Sequence, residues 1–371
     1  MLEEFEKIKP MQVNSNLIEY FDRNRKKWDA AYFGTGPVEG IPVYAQLHEY
    51  AMSRSSLSGK EFYRDGKELV RWEAKVAHEL GLDIPDITFD CYNIEAEALG
   101  ARVQFYKNKA PELVSTLLED KRDLLQLSSP NPYKDGRMPF VLEIVDEYED
   151  LFGHFPRLNV SAPFTLAANL RGVQQFLLDL LRDKAFVREL IDFVTEEVLV
   201  PYIEAIQKTR TSEGEIIAAD AIASPPNLNL DLLEELALEP LLELKKRCGE
   251  EVIILNWWGE SQVKEPDRLL ELKYRAGSGA VIEGQDPDVA EVGPEIYSDF
   301  ALSKDSSLIL GMGTEVMMRG DPTSIKQRVK RYLQAGTRVE DRFLLYFTNF
   351  VGDTPLENIE AALKAVREYK G

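Results

Sequence analysis

Cysteine and histidine are scarce in this chain of 371 residues, with two cysteines, Cys91 and Cys248, and three histidines, His48, His78 and His154. No CxxC pair exists, which excludes thiol-rich metal and redox motifs and fits reduced thiols in a cytoplasmic protein. Positive charge is short as well. Lys and Arg number 44 against 64 Asp and Glu, a formal net charge of −20. So acidic a chain repels phosphate unless a basic stripe gathers somewhere, and nucleic acid is excluded as a main partner. The basic pairs Lys245-Lys246 and Lys330-Arg331 fall in helical patterns and read as solvated faces. Long apolar runs are also missing. None approaches the roughly 20 residues that span a bilayer, so no membrane association is expected. The first residues, Met1-Leu2-Glu3-Glu4-Phe5-Glu6, lack the basic start and apolar core of a signal peptide.

What is present is a globular composition, 44% hydrophobic, with short β-rich runs alternating with helical patterns. The β-runs are 41–46, 87–90, 158–161, 216–220, 252–256, 280–283, 307–310 and 343–347. Their near-continuous apolar character suits strands buried on both faces of a parallel sheet. Helices separate them. Val173, Phe176, Leu177, Leu180 and Leu181 repeat at helical spacing, as do Val187, Leu190, Ile191, Val194 and Val198. Asp321-Pro322 caps a helix that Gly336 closes, and Thr354-Pro355-Leu356-Glu357 reads as a capping box with proline at N1. Eight strands alternating with helices predict a single α/β unit, a (β/α)8 TIM barrel over residues 41–371, with a helical N-terminal extension over 1–40. An open doubly wound sheet is the alternative, and no GxGxxG follows the first strand to favour it. Val103-Gln104-Phe105-Tyr106 predicts a small hairpin inserted outside the repeat.

Barrel chemistry sits just past the C-terminal ends of the strands. That rule selects Asp90, His48, Asp220 and Glu283 as candidate catalytic groups. It selects Gln46, Asn169, Asn256, Trp257, Trp258 and Asn349 as candidate substrate contacts. A carboxylate at a strand end also caps helices or pairs with an arginine, and a histidine there can be an ordinary loop residue. Trp257 and Trp258 point to opposite sides of an extended chain, so one belongs to the core and the other can serve as a flat platform. Asp90 is the leading candidate, expected as a partly desolvated general acid with a raised pKa. The competing expectation is a structural carboxylate paired with an arginine such as Arg54.

The order of segments resembles the uroporphyrinogen decarboxylase superfamily. The resemblance is carried by Leu82-Asp83, Phe89-Asp90, Glu97-Ala98-Leu99-Gly100 and Ser161-Ala162-Pro163-Phe164-Thr165. It continues through the strand ending Ala219-Asp220, then Ile254-Leu255-Asn256-Trp257-Trp258-Gly259, Gly320-Asp321-Pro322 and Asp353-Thr354-Pro355-Leu356-Glu357-Asn358. It implies the barrel, and an enzyme related to tetrapyrrole decarboxylases or to the cobalamin-dependent methyltransferases of the same superfamily. The departures sort between these. Decarboxylases carry an Arg-Gln-Ala-Gly-Arg segment after the first strand, where this chain has Gln46-Leu47-His48-Glu49-Tyr50. Their tyrosine falls near Asn169. A substrate with eight carboxylates needs fixed positive charge. The methyltransferase branch carries His-x-Cys and a further Cys that bind zinc. Here those positions hold Asn256, Trp258 and the region of Asn349. Indole and carboxamide are not zinc ligands, so no zinc is expected at that position. A metal moved to His48 with Asp90, Glu260 or Glu283 has no sequence signature.

The resemblance therefore implies methyl transfer between a small-molecule substrate and a corrinoid carried by a partner protein, with no tightly bound cofactor of its own. Asp90, Asp220 or Glu283 would assist as acids or bases, with His48 as proton shuttle. The alternatives are a tetrapyrrole decarboxylase, drawing Arg54, Arg171 or Arg319 into the cleft, and a barrel that binds without catalysis.

Overall fold

The computed structural model describes residues 11–370. The segment Met1–Glu6, expected not to be a signal peptide, lies outside the described residues. The helix Ser15–Phe33 begins where the Asn14 side chain accepts from the Leu17 N–H, and ends at Gly34 in the left-handed conformation, φ 63°. It buries Leu17, Phe21, Trp28, Ala31 and Tyr32.

Among the described residues nine strands follow: β1 Val43–Ala45, β2 Val103–Gln104, β3 Glu112–Leu113, β4 Leu158–Ser161, β5 Ile216–Ala219, β6 Val252–Ile253, β7 Val281–Gln285, β8 Ser307–Met312 and β9 Phe343–Phe347. They form two parallel sheets, ordered β1-β9-β8-β7 and β4-β5-β6, and a separate antiparallel pair of β2 with β3. All but β2 and β3 are separated by helices, and almost every strand residue in the parallel sheets is buried. This is the α/β architecture with parallel strands that the alternation predicts.

One of the eight expected runs does not pair as a strand. Residues 82–90 pass between β1 and β4 as an extended, buried segment. Pro85 removes one donor there. Side chains take up neighbouring backbone groups: Glu73 Oε2 accepts from the Thr88 N–H at 3.1 Å, and Asp83 Oδ2 accepts from the Val43 N–H at 2.6 Å. A ladder whose amides are bonded to carboxylates cannot extend to the next strand. Strand β6 is likewise shorter than the expected run 252–256. Beyond Ile253, Asn256 Oδ1 accepts from the Asp220 N–H at 2.9 Å in place of a backbone carbonyl. The paired strands among the described residues therefore do not form one continuous closed ladder.

Helix Pro322–Gly336 starts as expected, with Asp321 accepting from the Thr323 and Ser324 N–H groups. The last helix, Leu356–Arg367, differs. Pro355 is its N-cap and no side chain caps it. The Thr354 hydroxyl is buried and turned toward Met318 Sδ at 3.4 Å, so the expected capping box does not form. The inserted hairpin is present, but Val103–Gln104 pairs with Glu112–Leu113 across a longer connection than residues 103–106 alone would make.

Candidate functional site

A cavity of about 550 Å³ opens beyond the C-terminal ends of the parallel strands. Its floor is built from residues inside the strands, Tyr44, Ile217, Glu283 and Tyr346, and its wall from residues just past them, Gln46, Asn256, Thr348 and Asn349. The second arm of the hairpin, Ala110 to Leu113, covers one side. Of the residues selected from sequence, Gln46, His48, Asp90, Asn169, Asn256, Trp258, Glu283 and Asn349 all line this space.

Asp220 and Trp257 do not. Both are buried, and they bond each other, Trp257 Nε1 donating to Asp220 Oδ2 at 2.9 Å. Thr165 donates to the other oxygen through its hydroxyl at 2.8 Å and its N–H at 3.2 Å. Burial pushes the Asp220 carboxyl up to about 6 against these donors. With three donors bound to it and no place in the lining, it braces the wall from behind instead of facing the cavity, where it was expected. Trp257 is the core member of the tryptophan pair and Trp258 is the accessible one, 37% exposed at the rim.

Asp90 is held differently from the free acid expected of it. Arg137 grips both its oxygens, at 2.8 and 2.6 Å, and Asn93 Nδ2 adds a third donor at 2.8 Å. Arg137 is itself buried and also bonds Glu97 at 2.5 Å. The structural pairing is the one observed, with Arg137 as partner. Arg54 instead donates to Tyr50 Oη at 2.6 Å. Arg171 is bound to Asp179 at 2.8 Å, and Arg319 is exposed beside Glu315. None of the three arginines considered for a decarboxylase cleft reaches the cavity.

Two charged groups on the floor, Arg157 and Asp86, were not selected from sequence. Arg157 stands one residue before β4 and lines the floor, with Asp86 at 3.6 Å and Glu215 at 3.4 Å. Its guanidinium packs over Trp28, Tyr32 and Tyr44, 5.0 to 5.7 Å from the ring centroids. Burial pushes Asp86 up to about 6, with Glu283 adding to the rise and Arg157 opposing it. Burial also raises Glu283, against a hydrogen bond from Gln285 and the charges of Arg157 and Lys273. The rings of Tyr44 and Tyr346 stack at 4.6 Å above this group. Tyr44 Oη, Thr348 Oγ1 and Asn349 Oδ1 are sealed from solvent yet have no hydrogen-bond partner among the described residues. These atoms leave hydrogen-bonding capacity unused around the cavity. A rule confined to strand C-termini finds neither Arg157, which precedes a strand, nor Asp86, which lies within the unpaired extended segment.

The donor set does not fit zinc. Asn256 spends both ends of its amide, accepting from Asp220 N–H and donating to Tyr92 Oη at 2.9 Å, and Trp258 offers an indole. Glu260, considered for a moved metal, is paired instead with Lys273 at 2.5 Å away from the cavity lining. Among the described residues no three His, Cys, Asp or Glu side chains are grouped to hold a metal.

No curated protein sequence matches the chain. Among solved structures, a methyltransferase from Methanosarcina mazei superposes with a TM-score of 0.73 at 19% identity, covering 93% of this chain and 98% of that one, a likeness of fold. The sequence model of the family described as uroporphyrinogen decarboxylase matches residues 30–369. With nearly the whole chain matched, and its cavity at the strand ends, this protein belongs to the uroporphyrinogen decarboxylase family.

Proposed function

We propose that the protein is a methyltransferase that moves a methyl group between a small substrate in this cavity and a corrinoid carried on a separate protein. The observation that carries the reading is the charge of the lining: Asp86, Asp90, Glu112 and Glu283 against a single arginine, Arg157. With one arginine and no lysine among its lining residues, such a space lacks the fixed positive charge that a polycarboxylate tetrapyrrole needs, and it accepts a small molecule. The shared fold with a methyltransferase adds support. The two parallel sheets read as arcs of one (β/α)8 barrel, since Tyr44, Ile217, Ile253, Val281, Ile309 and Leu344 from both arcs meet in one interior cluster.

When the substrate is the methyl donor, the bond between methyl and heteroatom breaks with its electron pair left on the heteroatom. That atom then needs a proton. Glu283, whose carboxyl burial raises, is the floor group placed to supply it. A corrinoid, when a partner delivers it, supplies the centre that accepts the methyl group. The aromatic walls formed by Tyr44, Tyr346 and Trp258 exclude water and orient the substrate.

The test is a panel of O-, N- and S-methylated compounds incubated with the protein and reduced free cobalamin, followed by the absorbance change on cobalt methylation. Methyl transfer from at least one compound is expected, and Glu283→Gln should slow it by about 10²-fold. No transfer from any compound, with or without cell extract as a source of corrinoid protein, would reject the reading.

A further inference from the structure

His48 opens the short helix His48–Arg54, and its ring is 8% exposed. Its Nδ1 lies 2.8 Å from the hydroxyl of Tyr63, and the two rings meet edge to face. Tyr63 arrives from elsewhere in the chain, directly after the helix Gly59–Phe62, and is wholly buried. No solvent reaches its hydroxyl. Among the described residues, that hydroxyl has one hydrogen-bond partner, His48 Nδ1.

The accounting then has one satisfactory solution. Burial and the nearby carboxylates of Asp90, Glu49 and Glu73 push the Tyr63 phenol well up, so it keeps its proton. Burial holds His48 below its usual range, although Glu49 and Asp90 pull the other way, so the ring is neutral near pH 7. A neutral imidazole has one N–H and one bare nitrogen. Were the proton on Nδ1, the Tyr63 proton would face no acceptor in a dry wall, which costs a full buried hydrogen bond. With Nδ1 bare, Tyr63 donates to it and both groups are satisfied. Nε2 then carries the hydrogen. It forms no hydrogen bond among the described residues, and His48 lines the cavity.

We propose that Tyr63 is a positioning residue that fixes His48 as the Nε2–H tautomer, so that His48 presents a hydrogen-bond donor to the cavity in place of a base. The substrate atom that meets it is therefore an acceptor, an oxygen or another atom with a free lone pair, and not an ammonium group. In the methyl-transfer reading, on which only the kinetic consequence rests, Nε2–H steadies the electron pair left on the heteroatom while Glu283 supplies the proton. The shuttle role expected for His48 becomes that of a fixed donor.

Long-range proton–nitrogen correlation spectra of the full chain labelled with ¹⁵N-histidine test this directly, with a His48→Gln variant to assign the His48 signals among the three rings. Near pH 7 the wild-type ring should show a bare, pyridine-type Nδ1 and a protonated, pyrrole-type Nε2. Tyr63→Phe should give a mixture of tautomers, with kcat down about tenfold and KM little changed. A wild-type spectrum with the proton on Nδ1, or with a charged ring, overturns the proposal even if the variant fails to fold. So does an unaltered tautomer in a folded Tyr63→Phe protein. The nitrogen shifts do not depend on any substrate, so a failure of methyl transfer and a failure of this inference are told apart.

Discussion

Asp86 and Asp90 border the same cavity and sit in opposite environments. Asp90 has both oxygens in the fork of Arg137 and a third donor from Asn93. Asp86 has only Arg157 at 3.6 Å and no hydrogen bond among the described residues. Its carboxyl accordingly rises from 3.8 to about 6. An acid raised on folding binds its proton more tightly in the folded state. Its contribution to stability is full below about pH 4 and is lost as pH rises through about 6. A rise from 3.8 to about 6 corresponds to roughly 3 kcal/mol. Asp86→Asn should therefore stabilise the protein above pH 6 by up to about that amount, and flatten its stability between pH 4 and 6. Denaturant melts at pH 4 and pH 7.5 read this directly, and an unchanged difference between the two would count against it. None of this contrast was legible in the sequence. Arg137 is 47 residues from Asp90, and nothing local to either residue signals the pair.

At the scale of elements, the hairpin β2–β3 forms one side of the cavity, and its position is fixed by contacts to the wall. Glu49 Oε1 accepts from the Ala110 N–H at 2.8 Å, while Glu49 Oε2 accepts from Asn349 Nδ2 at 3.2 Å. Asn93 Nδ2 donates to the Pro111 carbonyl at 2.8 Å. Behind the hairpin, Gly59 approaches so closely that a Cβ on it would lie 2.0 Å from the Tyr106 carbonyl oxygen. A backbone oxygen cannot rotate away. Gly59→Ala should force the hairpin outward, costing about 1–3 kcal/mol. Faster limited proteolysis between residues 103 and 113 is the expected sign, and an unaltered digestion pattern and melting temperature would show that the contact yields. The existence of this hairpin was legible from Val103 to Tyr106, but not where it docks. The loss of the second strand was likewise hidden, because it depends on Glu73 reaching Thr88 from a helix.

At the scale of the whole molecule, the net charge of −20 and the acidic lining of the cavity act in the same direction. Uroporphyrinogen, with its eight carboxylates, should bind weakly and show no measurable decarboxylation. Formation of coproporphyrinogen at the rate of a genuine decarboxylase would refute the charge argument. The alternation of apolar β-runs and amphipathic helices determined the parallel α/β architecture and placed the site at the strand ends, because burial on both faces and helical spacing are properties of neighbouring residues. It also brought His48, Asn256, Glu283 and Asn349 to the same cavity. Tertiary structure alone decided their states. Asp90 became the partner of Arg137, Asp220 withdrew behind Trp257, Asp86 and Arg157 joined the floor, and Tyr63 became the partner of His48. Charge, protonation and hydrogen-bond direction in a buried site depend on which distant groups pack beside it, and that information is carried by contacts across the fold.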